Sequence, residues 1–145
     1  MKIQMTVNEK KLDDHLWLDP ANSEFDKDYG AAVSNLDDGI VTRFYGPQII
    51  NYIPWDGFEQ LFHKMDQKLR NNGTVLLGGI EPYIISKKLV TRELPLETYN
   101  KLIFPFHANL ISLPQLRKKI TDYKYQIKDI VVDYKTYQYT IEAIK

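Results

Sequence analysis

The side chains able to do chemistry are few and scattered. Asp19 closes a short apolar run, His15-Leu16-Trp17-Leu18, and stands before Pro20. An ionised carboxylate there offers two acceptor oxygens; an acid before proline equally suits a plain turn cap. Asn51-Tyr52, Trp55 and Tyr83 offer hydrogen bonds and flat apolar surface, to a planar substrate or to the core. None of them is a base near neutral pH, and no catalytic residue is assigned. His15, His63 and His107 are dispersed and form no metal-ligand spacing, so no metal site is expected. The phosphate loop G-x-x-x-x-G-K, the zincin pattern H-E-x-x-H and the nucleophile elbow G-x-S-x-G are all absent. Gly78-Gly79 ends an apolar stretch and allows either a tight turn or the close approach of a ligand. Arg117-Lys118-Lys119 reads as the solvated face of a helix.

The composition narrows the function class. With 145 residues the chain suits one domain over 1–145. It has 19 basic and 19 acidic residues, so no general electrostatic grip on nucleic acid or an anionic membrane is expected. The balance is local, however. Residues 1–40 carry nine acids against four bases, and residues 113–145 carry seven bases against four acids, a bias that either orients a partner or is merely solvated. The absence of cysteine excludes disulfides, thiol catalysis and cysteine zinc sites, and fits a reducing compartment. Apolar runs such as Val75-Leu76-Leu77 are too short for a bilayer, and MKIQMTVNEKK has no stretch of signal-peptide length. A cytoplasmic location is the expectation.

The elements that position these residues follow from periodicity. Lys2 to Val7 alternates as a strand does, and His15 to Leu18 is a second strand, ended by the extended bias that Pro20 imposes on Asp19. Residues 21–39 read as loop, with a short strand at Ala31-Ala32-Val33. Ile40 to Tyr45 is β-branched and aromatic, hence strand, and Gly46-Pro47 breaks it before a short helix, Gln48 to Ile53. Asp56 and Glu59 have capping-box spacing ahead of a helix whose Phe58, Leu61, Phe62, Met65 and Leu69 share one face. Asn71-Asn72-Gly73 is expected to end that helix through a left-handed residue. Thr74 to Leu77 reads as a strand buried on both faces. Helices are expected over Ile84–Leu94, started by Pro82, over Leu96–Phe104, and over Ser112–Ile120, where Ser112 and Gln115 have capping-box spacing. Tyr125 to Val132, a turn, and the alternating Tyr137, Tyr139, Ile141 and Ala143 give a closing hairpin. The fold class is therefore α/β: a Rossmann-like, mostly parallel sheet with a C-terminal antiparallel hairpin and helices on both faces.

In order and spacing, these segments resemble the short class I S-adenosylmethionine (SAM)-dependent methyltransferases of the methyltransferase type 11 group. The resemblance rests on Leu16-Trp17-Leu18-Asp19-Pro20 as the second strand ending in an acid, Leu36-Asp37-Asp38-Gly39-Ile40-Val41 before the fourth strand, and Phe44 to Trp55 as that strand and its turn. Lys68 to Leu77 resembles the passage into the fifth strand, and the last 34 residues the closing helix and hairpin. It implies the sheet order 3-2-1-4-5-7-6 and SAM as cofactor, with Asp19 accepting from the ribose hydroxyls and Leu36 and Asp37 lining the adenine region. Gly30 or a neighbour takes the place of an acid often found near the adenine, and Asn51-Tyr52 that of an acid–histidine pair. The family's glycine-rich loop after strand one is missing: Met5 to Lys10 stands there, with no glycine before residue 30. Val7 and Glu9 are expected to block the site near Asn8. Three functions are open: a binding or accessory module with lost or altered SAM binding and an unidentified protein partner; an active SAM-dependent methyltransferase of unknown acceptor; or a structural or assembly protein of the kind viruses use.

Overall fold

The computed structural model describes residues 1–6, 9–19, 31–104 and 109–145, with the backbone alone for Ala31 and Trp55. Val7, Asn8, Pro20, Gly30, His107 and the Trp55 side chain, all invoked from the sequence, lie outside what it describes.

In chain order the elements are β1 (Lys2–Met5), β2 (His15–Leu18), α1 (Ala31–Ser34), β3 (Val41–Gly46) and a 3₁₀ turn over Ile49–Tyr52. There follow α2 (Trp55–Lys68), β4 (Leu69–Ile80), α3 (Pro82–Val90), α4 (Leu96–Ile103), α5 (Leu113–Asp122), β5 (Gln126–Asp133) and β6 (Gln138–Ile144). The strands form one sheet in the order β2-β1-β3-β4-β6-β5. β2, β1, β3 and β4 are parallel, and β6 lies antiparallel between β4 and β5. The mostly parallel sheet with its closing hairpin is thus present. The order is the one the resemblance implied, without a third strand among the described residues. Ala31-Ala32-Val33, expected as a short strand, is helical instead; alanine is the strongest helix former, and one buried residue, Val33, suffices to hold a single turn beside α2.

Register sets the two faces. Leu16, Ile3, Phe44, Val75 and Ala143 stand in one row across the sheet, and Leu77 with Ile141 extends it. On this face α2 packs through Phe58, Leu61, Phe62 and Met65, and α5 through Leu116 and Ile120, in one continuous core. The opposite row, Trp17, Gln4, Tyr45, Leu76 and Glu142, is mixed in polarity, and over β3, β4 and β6 it is half-buried. A second, smaller cluster of Ile80, Ile85 and Leu94 seats α3 and α4 beyond the carboxyl end of β4.

Three helix boundaries differ from expectation, one of them the end of α3, which stops at Val90 rather than Leu94. The Asp56–Glu59 capping box is not formed: α2 starts earlier, with Pro54 at the N-cap making no side-chain bond, and Asp56 becomes a first-turn acid facing the helix dipole. Asn71-Asn72-Gly73 does not end α2 either. The helix passes straight into β4 at Leu69, and the left-handed residue, Asn72 (φ 62°), sits within the strand where the pairing with β3 slips. The local reading of Asn72 was sound, but it marks a bulge rather than a cap. The Ser112–Gln115 capping box is present as expected. Glu81 does more than the sequence indicated. Its buried carboxylate accepts from Tyr83 N (3.2 Å) at the start of α3 and from Leu113 N (2.7 Å) at the start of α5, capping two helices at once.

Candidate functional site

In open α/β sheets ligands bind beyond the carboxyl ends of the parallel strands. Here those ends are Met5-Thr6, Leu18-Asp19, Gly46-Pro47 and Ile80-Glu81. Asp19 is half-buried directly past β2, as the sequence placed it. Tyr52, on the 3₁₀ turn after β3, is also half-buried. Burial raises its phenol pKa, and the negative charges of Asp19 and Glu9 raise it further. Burial likewise raises Tyr45, with Glu9 adding and Arg43 opposing. The carboxyl edge therefore gathers two acids, Glu9 and Asp19, and two neutral phenols.

What precedes Asp19 decides whether a cofactor can reach it. Between parallel strands a crossover of a dozen or more residues, normally including a helix, is usual. β1 and β2 are joined by nine residues, 6–14, and the described part contains no helix. Instead the segment lies across the sheet face that carries Gln4. Buried Gln4 accepts from Leu12 N at 2.7 Å and donates to Lys10 O at 3.1 Å and Thr6 Oγ1 at 2.8 Å. The Trp17 indole donates to Thr6 O at 2.9 Å. Beside β2, Lys2 bonds Asp14 at 2.6 Å, which holds that carboxyl below its ordinary pKa, and His15 Nδ1 faces two oxygens, Asp13 O and Asp14 Oδ1, each at 3.0 Å. Nδ1 therefore carries the proton.

The remaining sequence-predicted residues have other tasks. Leu36 packs partly against the main core, and Asp37 is exposed. The segment that follows them is anchored at the amino edge of the sheet: Asp38 bonds Lys68, Gly39 N bonds Gln67 O, and the chain amine bonds Ile40 O. The structure does not bring Leu36 and Asp37 together with Asp19. Asn51 is buried and committed, accepting from Ile80 N at 3.0 Å and donating to Asn109 O at 3.3 Å. Gly78-Gly79 makes no turn, since β4 runs through it to Ile80. A Cβ at Gly78 would lie 2.1 Å from Tyr139 O and 2.6 Å from Pro47 O, and one at Gly79 would lie 2.9 Å from Asn51 Oδ1. The pair gives close packing of β6, the 3₁₀ turn and β4, not ligand approach. Tyr83 is exposed on α3. Among the described residues no group of His, Cys, Asp or Glu is placed to hold a metal, and no helix is long and apolar enough to cross a membrane.

No family model matches this chain, and no curated protein matches it. Solved structures do. The chain is similar to a SAM-dependent methyltransferase from Archaeoglobus fulgidus, with TM-score 0.56 and 9% identity over 90% of this chain and 67% of that one. It is similar to geranyl diphosphate C-methyltransferase from Streptomyces coelicolor A3(2), in complex with Mg2+, geranyl diphosphate and S-adenosyl-L-homocysteine, with TM-score 0.52 and 15% identity over 90% and 52%. A geranyl diphosphate methyltransferase in complex with SAM gives TM-score 0.50 and 12% identity over 90% and 56%. The chain thus spans about half to two thirds of the length of these structures. At such identities the likeness shows the fold: this is a class I methyltransferase-like α/β sheet.

Proposed function

We propose that this chain is a methyltransferase-fold module whose cofactor crevice has been rebuilt, so that SAM binding is lost or altered and the domain serves as a binding or accessory component for a protein partner in the cytoplasm. The observation that carries this reading is the connection between β1 and β2, short and without a helix among its described residues. In this type of crevice, anionic groups are met by main-chain N–H groups at a glycine turn and helix N-terminus. Here one such N–H after β1, that of Leu12, already donates to Gln4, and the carbonyls of Thr6 and Lys10, which could have met the ammonium group, accept from Trp17 and Gln4. These bonds argue against the amino-acid end of SAM binding there, although Asp19 suits a ribose. No methyl-transfer step is derived.

Calorimetric titration with SAM and S-adenosylhomocysteine tests the proposal, beside an Asp19→Ala variant. The expected outcome is no heat of binding at millimolar ligand and no thermal stabilisation. A ligand at one hundred times its dissociation constant would add about 2.7 kcal/mol of stability, well within reach of a thermal scan. Binding that disappears in Asp19→Ala would overturn the proposal. It would favour the second reading, an active SAM-dependent methyltransferase of unknown acceptor, which the half-buried Asp19 at the end of β2 supports.

A further inference from the structure

We infer that the β5 edge and the groove beside it form a docking surface for an extended, acidic segment of a partner protein. That segment adds to β5 as a further strand, lowers an apolar side chain into the groove and sets its carboxylates against Arg117. The surface lies at the opposite side of the sheet from β2 and Asp19, so this goes beyond the reading above and holds whether or not SAM binds.

β5 is an edge strand of the sheet formed by the described residues. The chain on either side of it, residues 109–125 and 134–145, is described throughout. Among the described residues the main chain of β5 bonds only β6, apart from Ile130 N, which donates to the Asp129 carboxylate at 2.9 Å. An edge strand turns alternate N–H and C=O groups outward, where an added strand can take them up, and proteins commonly blunt such edges. The first half of β5 is blunted, by the bulge between Ile127 and Asp129 and by the charges of Lys128 and Asp129. The second half is not. Ile130-Val131-Val132 is uncharged and β-branched, and Val131 is 52% exposed.

The groove beside this stretch defines what fits. It is open, holds about 480 Å³ and has mainly apolar walls, formed by Leu113, Pro114, Arg117 and Thr121 of α5 on one side and Ile130 of β5 on the other. Ile130 stands in register with Ile141 and therefore belongs to the face on which α5 packs. Alternate side chains of an added strand point to that face and over the groove, where an apolar group is drawn out of water. Charge then selects the neighbours of that anchor. Lys118 and Asp122, both at the groove, satisfy each other at 2.6 Å. Arg117 is exposed on the same wall and has no acidic partner among the described residues. The acids of β5 do not oppose it: Asp129 and Asp133 stand in register with Glu142 and Gln138, on the other face. The groove is thus left with one unmatched guanidinium, a group suited to a carboxylate. A second copy of this chain fits less well, because a twofold β5–β5 contact brings the Arg117 of both copies to one interface.

The test uses a fluorescein-labelled peptide, Thr-Glu-Val-Leu-Val-Glu-Thr, which reads the same in both directions and puts its leucine and both glutamates on one face of a strand. Fluorescence polarisation with the full chain should show saturable binding. Arg117→Glu should weaken it by about tenfold, as should lysine in place of both glutamates of the peptide. Arg117 lies on the helix surface, so circular dichroism should be unchanged in that variant. Thr121→Trp, also at an exposed position, fills the groove and should abolish binding. Amide NMR shifts should move at Ile130, Val131, Val132 and along α5, and stay in place at Asp19 and Tyr52. Of two N-methylated peptides, one modified at leucine and one at both valines, one should bind and the other should not, because an added strand bonds through alternate residues. No saturable binding at millimolar peptide, equal affinity for the lysine peptide, equal binding of the two N-methylated peptides, or shifts centred on Asp19 and Tyr52 would each overturn the inference. So would a wild-type chain that dimerises and is made monomeric by Val131→Lys, since the edge would then belong to a second copy.

Discussion

At the scale of single residues, the informative side chain is Gln4 rather than any of the acids or histidines that drew attention in the sequence. It is buried, and its amide makes three hydrogen bonds that fix the β1–β2 connection across the sheet. Removing it leaves Leu12 N and Lys10 O to find water or remain unpaired, and a buried unsatisfied group costs about 1–3 kcal/mol. Gln4→Ala should therefore lose about 2–3 kcal/mol in urea unfolding. A loss below about 0.5 kcal/mol, the range of ordinary surface changes, would show that the amide does not hold the crossover. Asp19 behaved at this scale as its neighbours dictated: an acid after a four-residue apolar run before proline is confined to a strand end. Gln4 was not legible because two of its three partners, Lys10 and Leu12, lie six and eight residues away in a segment with no periodicity.

At the scale of elements, legibility followed the number of residues that agreed with one another. Four apolar positions at helical spacing, Phe58, Leu61, Phe62 and Met65, fixed the buried face of α2, and alternation over Tyr139, Ile141 and Ala143 fixed β6. The boundaries at Asp56 and Asn72 went astray, since each residue satisfies more than one local conformation, whereas the Ser112–Gln115 capping box formed as expected; Ala31-Ala32-Val33 is too short a run to fix its own conformation. Gly78-Gly79 misled for a different reason. Two glycines at a strand end look like a turn, yet the space they leave open is filled by the carbonyls of Tyr139 and Pro47 and by the Asn51 amide, none of them adjacent in sequence. The consequence is testable. At 2.1 Å from Tyr139 O, an alanine methyl at residue 78 cannot be absorbed by a rotamer change, because the obstacle is backbone in the β4–β6 ladder. Gly78→Ala should cost more than about 3 kcal/mol or prevent folding, with β4–β6 amide protection lost first. A variant that melts within a few degrees of the wild type would show that the two strands are not so closely apposed.

At the scale of the whole molecule, stability is divided unequally between two cores. The larger spans the sheet from Ile3 to Ala143 and takes in α2 and α5. The smaller contains three buried residues, Ile80, Ile85 and Leu94, and α4 contributes none of them. Few buried apolar contacts mean a low free energy of local opening. Polar ties among the described residues link this α3–α4 pair and its return segment to the rest: Glu81, which bonds the amino ends of α3 and α5, Asn51, which bonds Asn109 O, and Tyr139, whose hydroxyl donates to Ile111 O. The pair also stands over the carboxyl end of β4, the side on which the crevice with Asp19 and Tyr52 lies, so its opening changes what can approach that edge. Native-state hydrogen exchange should therefore show amides of Leu96–Ile103 exchanging by a sub-global opening, well before those of β3, β4 and β6 exchange by global unfolding. In Glu81→Gln, one oxygen is replaced by a donor that faces either Tyr83 N or Leu113 N, and the opening should become easier still, with β3 and β4 changed much less. Exchange of α4 at the same free energy as the β4 core, unaffected by Glu81→Gln, would mean that the two clusters form one cooperative unit and that the Glu81 bonds do not set how the smaller one opens.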